Sequence, residues 1–403
     1  MTRYARLLHE RVGGSHHVAS PLGAWLLLAL CAPLAGGPMR AQISEVLGTD
    51  PEEAASLAAG LLGDPHPAVG CGAALWSRST VDTDEIRAFR SGLPAAVGTG
   101  DIPDQATLDR WAQERTLGLV ERFPITVDPS LVLAMATVLA TRVSWARPFA
   151  LAPGSALGPA GAWSATLAQV LRAPPDDPAH RAFVADTGAA GTVAVHTAVA
   201  RDGLRVTSVV ADADVVPVDV LAAAHEVACA GAPHRSLFDL PVGDGPLWAI
   251  TEEETETASP GGREERCGAV LPAWSAESEI DPADPVLGFP AAAGGVAEAF
   301  GLGNVRSEAR QSAAARYGRV GFEAAAVSTL AIMSSARRLR PGVRRVGELR
   351  FGHPFAVVAV AVAGPRWTGG PGDPAPPPAP AAGRGWHGLP VFSAWVAEPE
   401  EPG

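Results

Sequence analysis

Gly321-Phe322-Glu323-Ala324-Ala325-Ala326-Val327-Ser328-Thr329 is the stretch on which the reading of this 403-residue chain turns. Alanine has the highest intrinsic helix propensity, so taken alone the run reads as helix. From Ala324 to Ala336 no residue is charged. Arg337, Arg338, Arg340, Arg344 and Arg345 follow, and then the apolar run Phe351 to Val358. On these residues alone the segment is a solvent-facing helix with an arginine-rich end.

Three more distant blocks change that reading. His16 to Leu30, HHVASPLGAWLLLAL, follows Arg3, Arg6 and Arg11 and has the flanks of a signal peptide or membrane helix. Yet Ser20-Pro21 is a cap followed by proline at the first helical position, which is how a helix starts inside a globule. Leu108 to Val120 reads as an amphipathic helix stopped at Gly118. Leu131 to Phe149, LVLAMATVLATRVSWARPF, has few polar positions over Leu131 to Val143, as a buried strand does.

These blocks, in this order, resemble the serpins. The segment beginning at Gly321 is similar to the serpin hinge and reactive-centre loop, in the form found in actinobacterial members. The His16 block resembles the start of the family's central buried helix. Leu108 to Val120 is similar to its W-x-x-x-x-T-x-G-x-I helix, through Trp111, Thr116 and Gly118. Trp145, Pro148 and Phe149 match the end of a central strand, with Thr137 and Val143 standing where the family has asparagine and glycine. Cys267 to Glu279 resembles a further family segment, and Phe351 to Val362 and Val391 to Pro399 its last two strands.

The resemblance implies a single α+β domain over residues 1–403, with three β-sheets, about eight or nine helices and an exposed loop over about 321–350. It implies a bacterial serine-type endopeptidase inhibitor, a suicide substrate and not an enzyme. The loop would be cut, the protease held as acyl-enzyme, and the loop inserted as an extra strand. A strand alternates its side chains between two faces. One face would carry Phe322, Ala324, Ala326, Ser328, Leu330, Ile332 and Ser334, and the other Glu323, Ala325, Val327, Thr329, Ala331 and Met333. Gly321, Phe322, Glu323, Ala324, Ala325 and Ala326 would form the hinge. Family spacing places the cut between Ser335 and Ala336, with Arg337 and Arg338 as alternatives for a trypsin-like protease. Two departures open a different reading, a non-inhibitory binding or interaction protein of the same fold: Phe322 stands where inhibitors have threonine or serine, and Arg319-Val320 where they have acidic residues.

Composition narrows the classes. The net charge of −12 argues against nucleic acid as a partner. No lysine occurs, which excludes P-loop and Schiff-base lysines. Cys31, Cys71, Cys229 and Cys267 form no Cys-x-x-Cys pair and are expected as buried free thiols. Ten histidines are scattered, and His16-His17 reads as a surface or cap pair before the buried helix, not as metal ligands. No G-x-S-x-G, H-E-x-x-H or strand-linked G-x-G-x-x-G is present. No cofactor, metal or membrane is expected, the partner would be a serine protease, and a monomer is anticipated. Without a convincing signal peptide the location reads as cytoplasmic, with an extracellular one as the family's alternative.

The resemblance also makes Thr2 to Val12 a shortened first helix and Pro38 to Leu47 the third, while Asp50 to Leu62 and Asp84 to Phe89 read as helices and Ala68 to Ser77 as strand. Ala182 to Ala228 suggests successive strands, and Arg310 to Val320 the strand entering the loop. The acidic run Thr251 to Glu256 reads as a solvated loop. Gly364 to Gly388, rich in proline and glycine, reads as an irregular, mobile excursion.

Overall fold

The computed structural model describes residues 1–79, 83–116, 118–141, 144–174, 177–281, 283–302, 310–321, 340–362 and 383–402. Among them are eight α-helices: α1 (Thr2–Val12), α2 (Pro21–Cys31), α3 (Gly37–Leu47), α4 (Pro51–Gly63), α5 (Asp84–Gly92), α6 (Gln105–Arg115), α7 (Pro217–His225) and α8 (Phe289–Ala299). The central one is α2. Ser20 caps it, its hydroxyl accepting from Gly23 N–H at 3.1 Å, and Pro21 occupies the first turn. All but one of its residues are buried. It is apolar on every face, as a helix that crosses a core must be.

The strands form four hydrogen-bonded sheets among the described residues. A seven-stranded sheet runs β1 (His17–Ala19), β18 (Pro390–Val396), β17 (Phe355–Ala361), β9 (Leu204–Val210), β8 (Gly191–Val199), β7 (His180–Thr187) and β10 (His234–Arg235). A six-stranded sheet runs β11 (Gly243–Asp244), β12 (Trp248–Thr257), β16 (Arg340–Arg350), β13 (Arg263–Leu271), β6 (Gln169–Ala173) and β5 (Ala150–Pro153). The three-stranded sheet is β3 (Val97–Gly100), β2 (Val69–Ser77) and β4 (Leu133–Thr141), and the two-stranded one is β14 (Trp274–Ile280) with β15 (Gln311–Tyr317). One apolar cluster draws on residues from Tyr4 to Val396, with α2 in its midst. α7 covers β9, β17 and β18 through a second cluster. α6 packs on the outer face of β2 and β4, where Leu108 and Ala112 meet Trp76, Ala134 and Ala136.

Most expected elements are present within a few residues of their predicted bounds, and several readings need correction. The acidic run is no loop: Thr251–Glu256 lies within β12. Its carboxylates are offset by arginines on β16, where Glu252 sits directly across from Arg345 and Glu253 from Arg344. Those pairs are made at 2.8 and 2.9 Å, and Arg345 also donates to the Leu237 and Leu240 carbonyls. For the same reason Arg340–Arg350, the last part of the stretch assigned to the exposed loop, is strand. The span Ala182 to Ala228 is strand only as far as Val210; α7 follows because Pro217 sits in its first turn ahead of an alanine-rich run. His17 is not a surface residue but buried within β1. Finally, the end of the Pro/Gly-rich stretch is anchored: Trp386 is fully buried and its indole N–H donates to the Leu61 and Asp64 carbonyls at the end of α4. The four cysteines are free thiols as expected, but only Cys31 is fully buried; Cys71, Cys229 and Cys267 are half-buried.

Candidate functional site

The site is a division between two strands that run side by side. β4 and β15 belong to different hydrogen-bonded sheets, so among the described residues the line between them is a division. Each lip is tied separately to the start of α2. The Thr137 hydroxyl of β4 donates to the Gly23 carbonyl at 2.7 Å. On the other side, Gln311 of β15 accepts from Ser20 N–H at 3.1 Å and donates to the Ser20 carbonyl at 2.9 Å.

At the lower end the division widens into a cavity of about 330 Å³. Leu133 and Met135 of β4, Leu27 and Cys31 of α2, Phe289 of α8 and Arg310 before β15 are among its walls. The lining is mostly apolar, and burial pushes the Cys31 thiol up to about 12, so it is an inert wall and not a nucleophile.

At the upper end the two lips are clamped. β15 runs on through Gly318 to Gly321, and this segment lies against the residues after β4. Trp145 N–H donates to the Val320 carbonyl at 3.3 Å, Phe149 N–H to the Arg319 carbonyl at 3.0 Å, and the Trp145 indole N–H to the Gly318 carbonyl at 2.9 Å. The rings of Trp145 and Tyr317 are 4.7 Å apart, with Phe149 packed edge-on against Trp145. Phe149 also contacts the stacked pair His180 and His196. Since the Arg147 carbonyl only accepts, His180 Nε2 carries its proton and Nδ1 accepts from His196 Nε2–H at 3.2 Å. Burial pulls both histidines below their ordinary range, furthest for His196, and raises the Tyr317 hydroxyl above its own.

The last residue of this clamp is Gly321. It forms an antiparallel bridge with Ser144, and its φ of 79° lies in the left-handed region that favours glycine. Because the adjoining hydrogen bond is Trp145 N–H to Val320 O, Ser144 and Gly321 face one another as a non-hydrogen-bonded pair.

Of the residues expected to carry function, Gly321 is thus placed at the head of the division. Phe322, Glu323, Ala324, Ala325, Ala326, Ser335, Ala336, Arg337 and Arg338 lie outside the described residues. The Gln311–Ser20 pair and the His180–His196 pair were not anticipated; their partners are hundreds of positions apart or masked by unremarkable neighbours. No cluster of three or more metal-ligating side chains occurs among the described residues, and no described helix is long and apolar enough to cross a membrane.

No protein-family model and no curated protein matches the sequence. Solved structures do. Human thyroxine-binding globulin complexed with thyroxine aligns with a TM-score of 0.61 at 12% identity, covering 99% of this chain and 97% of that one. The thermophilic serpin tengpin in its native state gives 0.60 at 13%, covering 98% and 92%. Human kallistatin gives 0.59 at 14%, covering 100% and 96%. The chain therefore has the serpin fold, an α+β architecture, over its whole length. The divided sheet and the strand that leads out of it at Gly321 are set within that fold.

Proposed function

We propose that the chain inhibits serine proteases as a suicide substrate, with the segment after Gly321 as the bait and the division between β4 and β15 as its destination. The observation that carries this reading is the Gly321–Ser144 bridge, the first rung of a strand that would run between the lips. Continued in antiparallel register, each residue forward from Gly321 matches one back from Ser144. Ser328 then falls opposite Thr137, Leu330 opposite Met135 and Ile332 opposite Leu133. Opposed residues in such a pair share a face of the sheet. Leu133 and Met135 pack toward the main core and line the cavity, so the two largest aliphatic side chains of the segment would enter it from that face. Behind Phe322, the small residues Ala324 and Ala326 would follow, near where the lips are clamped. From Ala324 to Ala336 the segment has no charge, so burying that part carries no desolvation cost of ions.

On this reading the protein supplies no catalytic group of its own. The protease serine attacks the carbonyl of the cut bond, assigned to Ser335–Ala336, and insertion disturbs the protease before water cleaves the ester. The competing reading is a non-inhibitory binding protein of the same fold, and the feature that favours it is Phe322, a large ring placed first into the sheet. Titration of a panel of elastase-like, subtilisin-like and trypsin-like proteases separates the two. An SDS-stable complex, together with a released C-terminal fragment beginning at Ala336, supports inhibition at the assigned bond. Simple turnover of the loop with no stable complex supports the binding protein.

A further inference from the structure

Three histidines meet in the interior where α1, β1 and α7 converge. His9 Nδ1 lies 2.8 Å from His17 Nε2, His9 Nε2 lies 2.6 Å from the Ser393 hydroxyl, and His17 Nδ1 lies 2.8 Å from the Ser15 carbonyl. The Ser15 carbonyl can only accept, which assigns every proton in the chain. His17 Nδ1–H donates to Ser15, His17 Nε2 accepts from His9 Nδ1–H, and His9 Nε2 accepts from Ser393 O–H. Every ring position is used with both histidines neutral. A proton added to His17 would set two N–H groups head to head, and one added to His9 would reverse the Ser393 bond.

His225 of α7 stands beside this chain, its ring 6.3 Å from that of His9, and neither of its nitrogens has a hydrogen-bond partner among the described residues. All three rings are buried, at 1%, 2% and 2% exposure. Among the described residues no carboxylate is hydrogen-bonded to or paired with them. On α1, Arg6 pairs with Glu10 and with Asp219 of α7, and Arg11 with Asp284, all at the surface. Tyr4 hydrogen-bonds the Leu287 carbonyl. Just before β1, His16 is spent on the Ser275 carbonyl and on Ala397 N–H. Glu226 after α7 accepts from Gly188 N–H. Glu277 and Glu279 on β14 and Arg316 on β15 are exposed, and β18 carries no ionisable side chain. The groups that do act on the cluster are the Met1 amino group beside His225, His16 beside His17 and the rings themselves, all of which oppose a further positive charge.

We propose that His9, His17 and His225 form an acid-sensitive latch that releases helix α1 from β1 and α7 as the pH falls, while the sheets remain folded. α1 is the element that gives way because it is short and only four of its residues are buried. Burial pulls His9 and His17 below the ordinary histidine range and His225 down to about 4, so each ring takes its proton only when the contact opens. Opening then becomes about tenfold more favourable per pH unit below about 6.5 for each histidine that gains a proton. The latch does not depend on the inhibitory reading.

Hydrogen–deuterium exchange of the full chain tests it, with rates corrected for intrinsic pH dependence. Between pH 6.5 and 5.0, peptides covering 2–12 are expected to open at least tenfold more, with those of β17 unchanged. His225→Leu, which breaks no hydrogen bond, should flatten that dependence. Ring ¹⁵N spectra at pH 7 should show His9 and His17 neutral with the proton on Nδ1. Equal protection of α1 and β17 at both pH values overturns the proposal, as does an unaltered pH dependence in His225→Leu or a cationic His9 or His17 at pH 7.

Discussion

Gln311 and Ser20 are joined by a reciprocal pair of hydrogen bonds, the glutamine amide accepting from the serine N–H and donating to its carbonyl. The pair fixes one lip of the divided sheet to the cap of α2, and Ser20 is buried there at 4% exposure. Gln311→Leu leaves two backbone groups of Ser20 without those partners, a loss that costs about 1–3 kcal/mol. The denaturation midpoint of the intact chain should fall accordingly, and Gln311→Glu, which keeps the acceptor, should recover part of it. An unchanged midpoint in Gln311→Leu would show that the pair does not hold the lip.

Gly321→Ala places a side chain at a left-handed backbone position, at a cost of about 1–2 kcal/mol. An inserted strand has an extended backbone at that residue, so the penalty belongs to the uncut state alone. Intact Gly321→Ala should melt below the intact parent, whereas the two loop-cleaved forms should melt together. If cleavage leaves the difference in place, Gly321 does not change conformation.

Much of the architecture was legible because local signals agreed: the Ser20-Pro21 start of α2, the apolar β4 and the Gly118 stop after α6 each appear where their residues place them. β12 was not legible because its acidic run is explained only by arginines on β16, and cross-strand neighbours so far apart in sequence leave no local trace. Trp386 was hidden by its company, a proline- and glycine-rich stretch whose composition says nothing about one anchoring ring. The division of the sheet was invisible for another reason. Both lips are good strands, and whether two good strands pair with each other depends on what lies between them.

The buried histidines predict how stability depends on pH. His180 and His196 are held neutral in the folded state, below their ordinary value near 6.5. The unfolded chain binds protons there first, so stability is full above about pH 6.5 and declines as the pH falls below it, by about 1.4 kcal/mol per unit for each such ring. His196→Leu should reduce this slope between pH 6.5 and 5 in urea titrations. A slope equal to that of the parent would mean that His196 is already protonated in the folded chain.

Phe322 is expected to impede insertion on the proposed reading. A ring in a space suited to threonine overpacks it by about 1–3 kcal/mol, and each 1.4 kcal/mol at the barrier is about tenfold in rate. Phe322→Thr should therefore lower the number of inhibitor molecules consumed per protease inactivated. A higher number would identify the ring as an anchor that assists entry.

The central claim is that the segment after Gly321 enters between β4 and β15 in the register begun at Ser144, and a cross-link reads it directly. Non-hydrogen-bonded pairs alternate along an antiparallel ladder and bring side chains closest. Counting from Ser144 and Gly321, Val138 and Val327 form such a pair. In the double variant Val138→Cys, Val327→Cys, mild oxidation after the loop is cut should form a 138–327 disulfide, identified by peptide mapping, and the uncut protein should not form it. A cut chain in which both thiols stay free, or the same disulfide forming before any cut, would contradict the account.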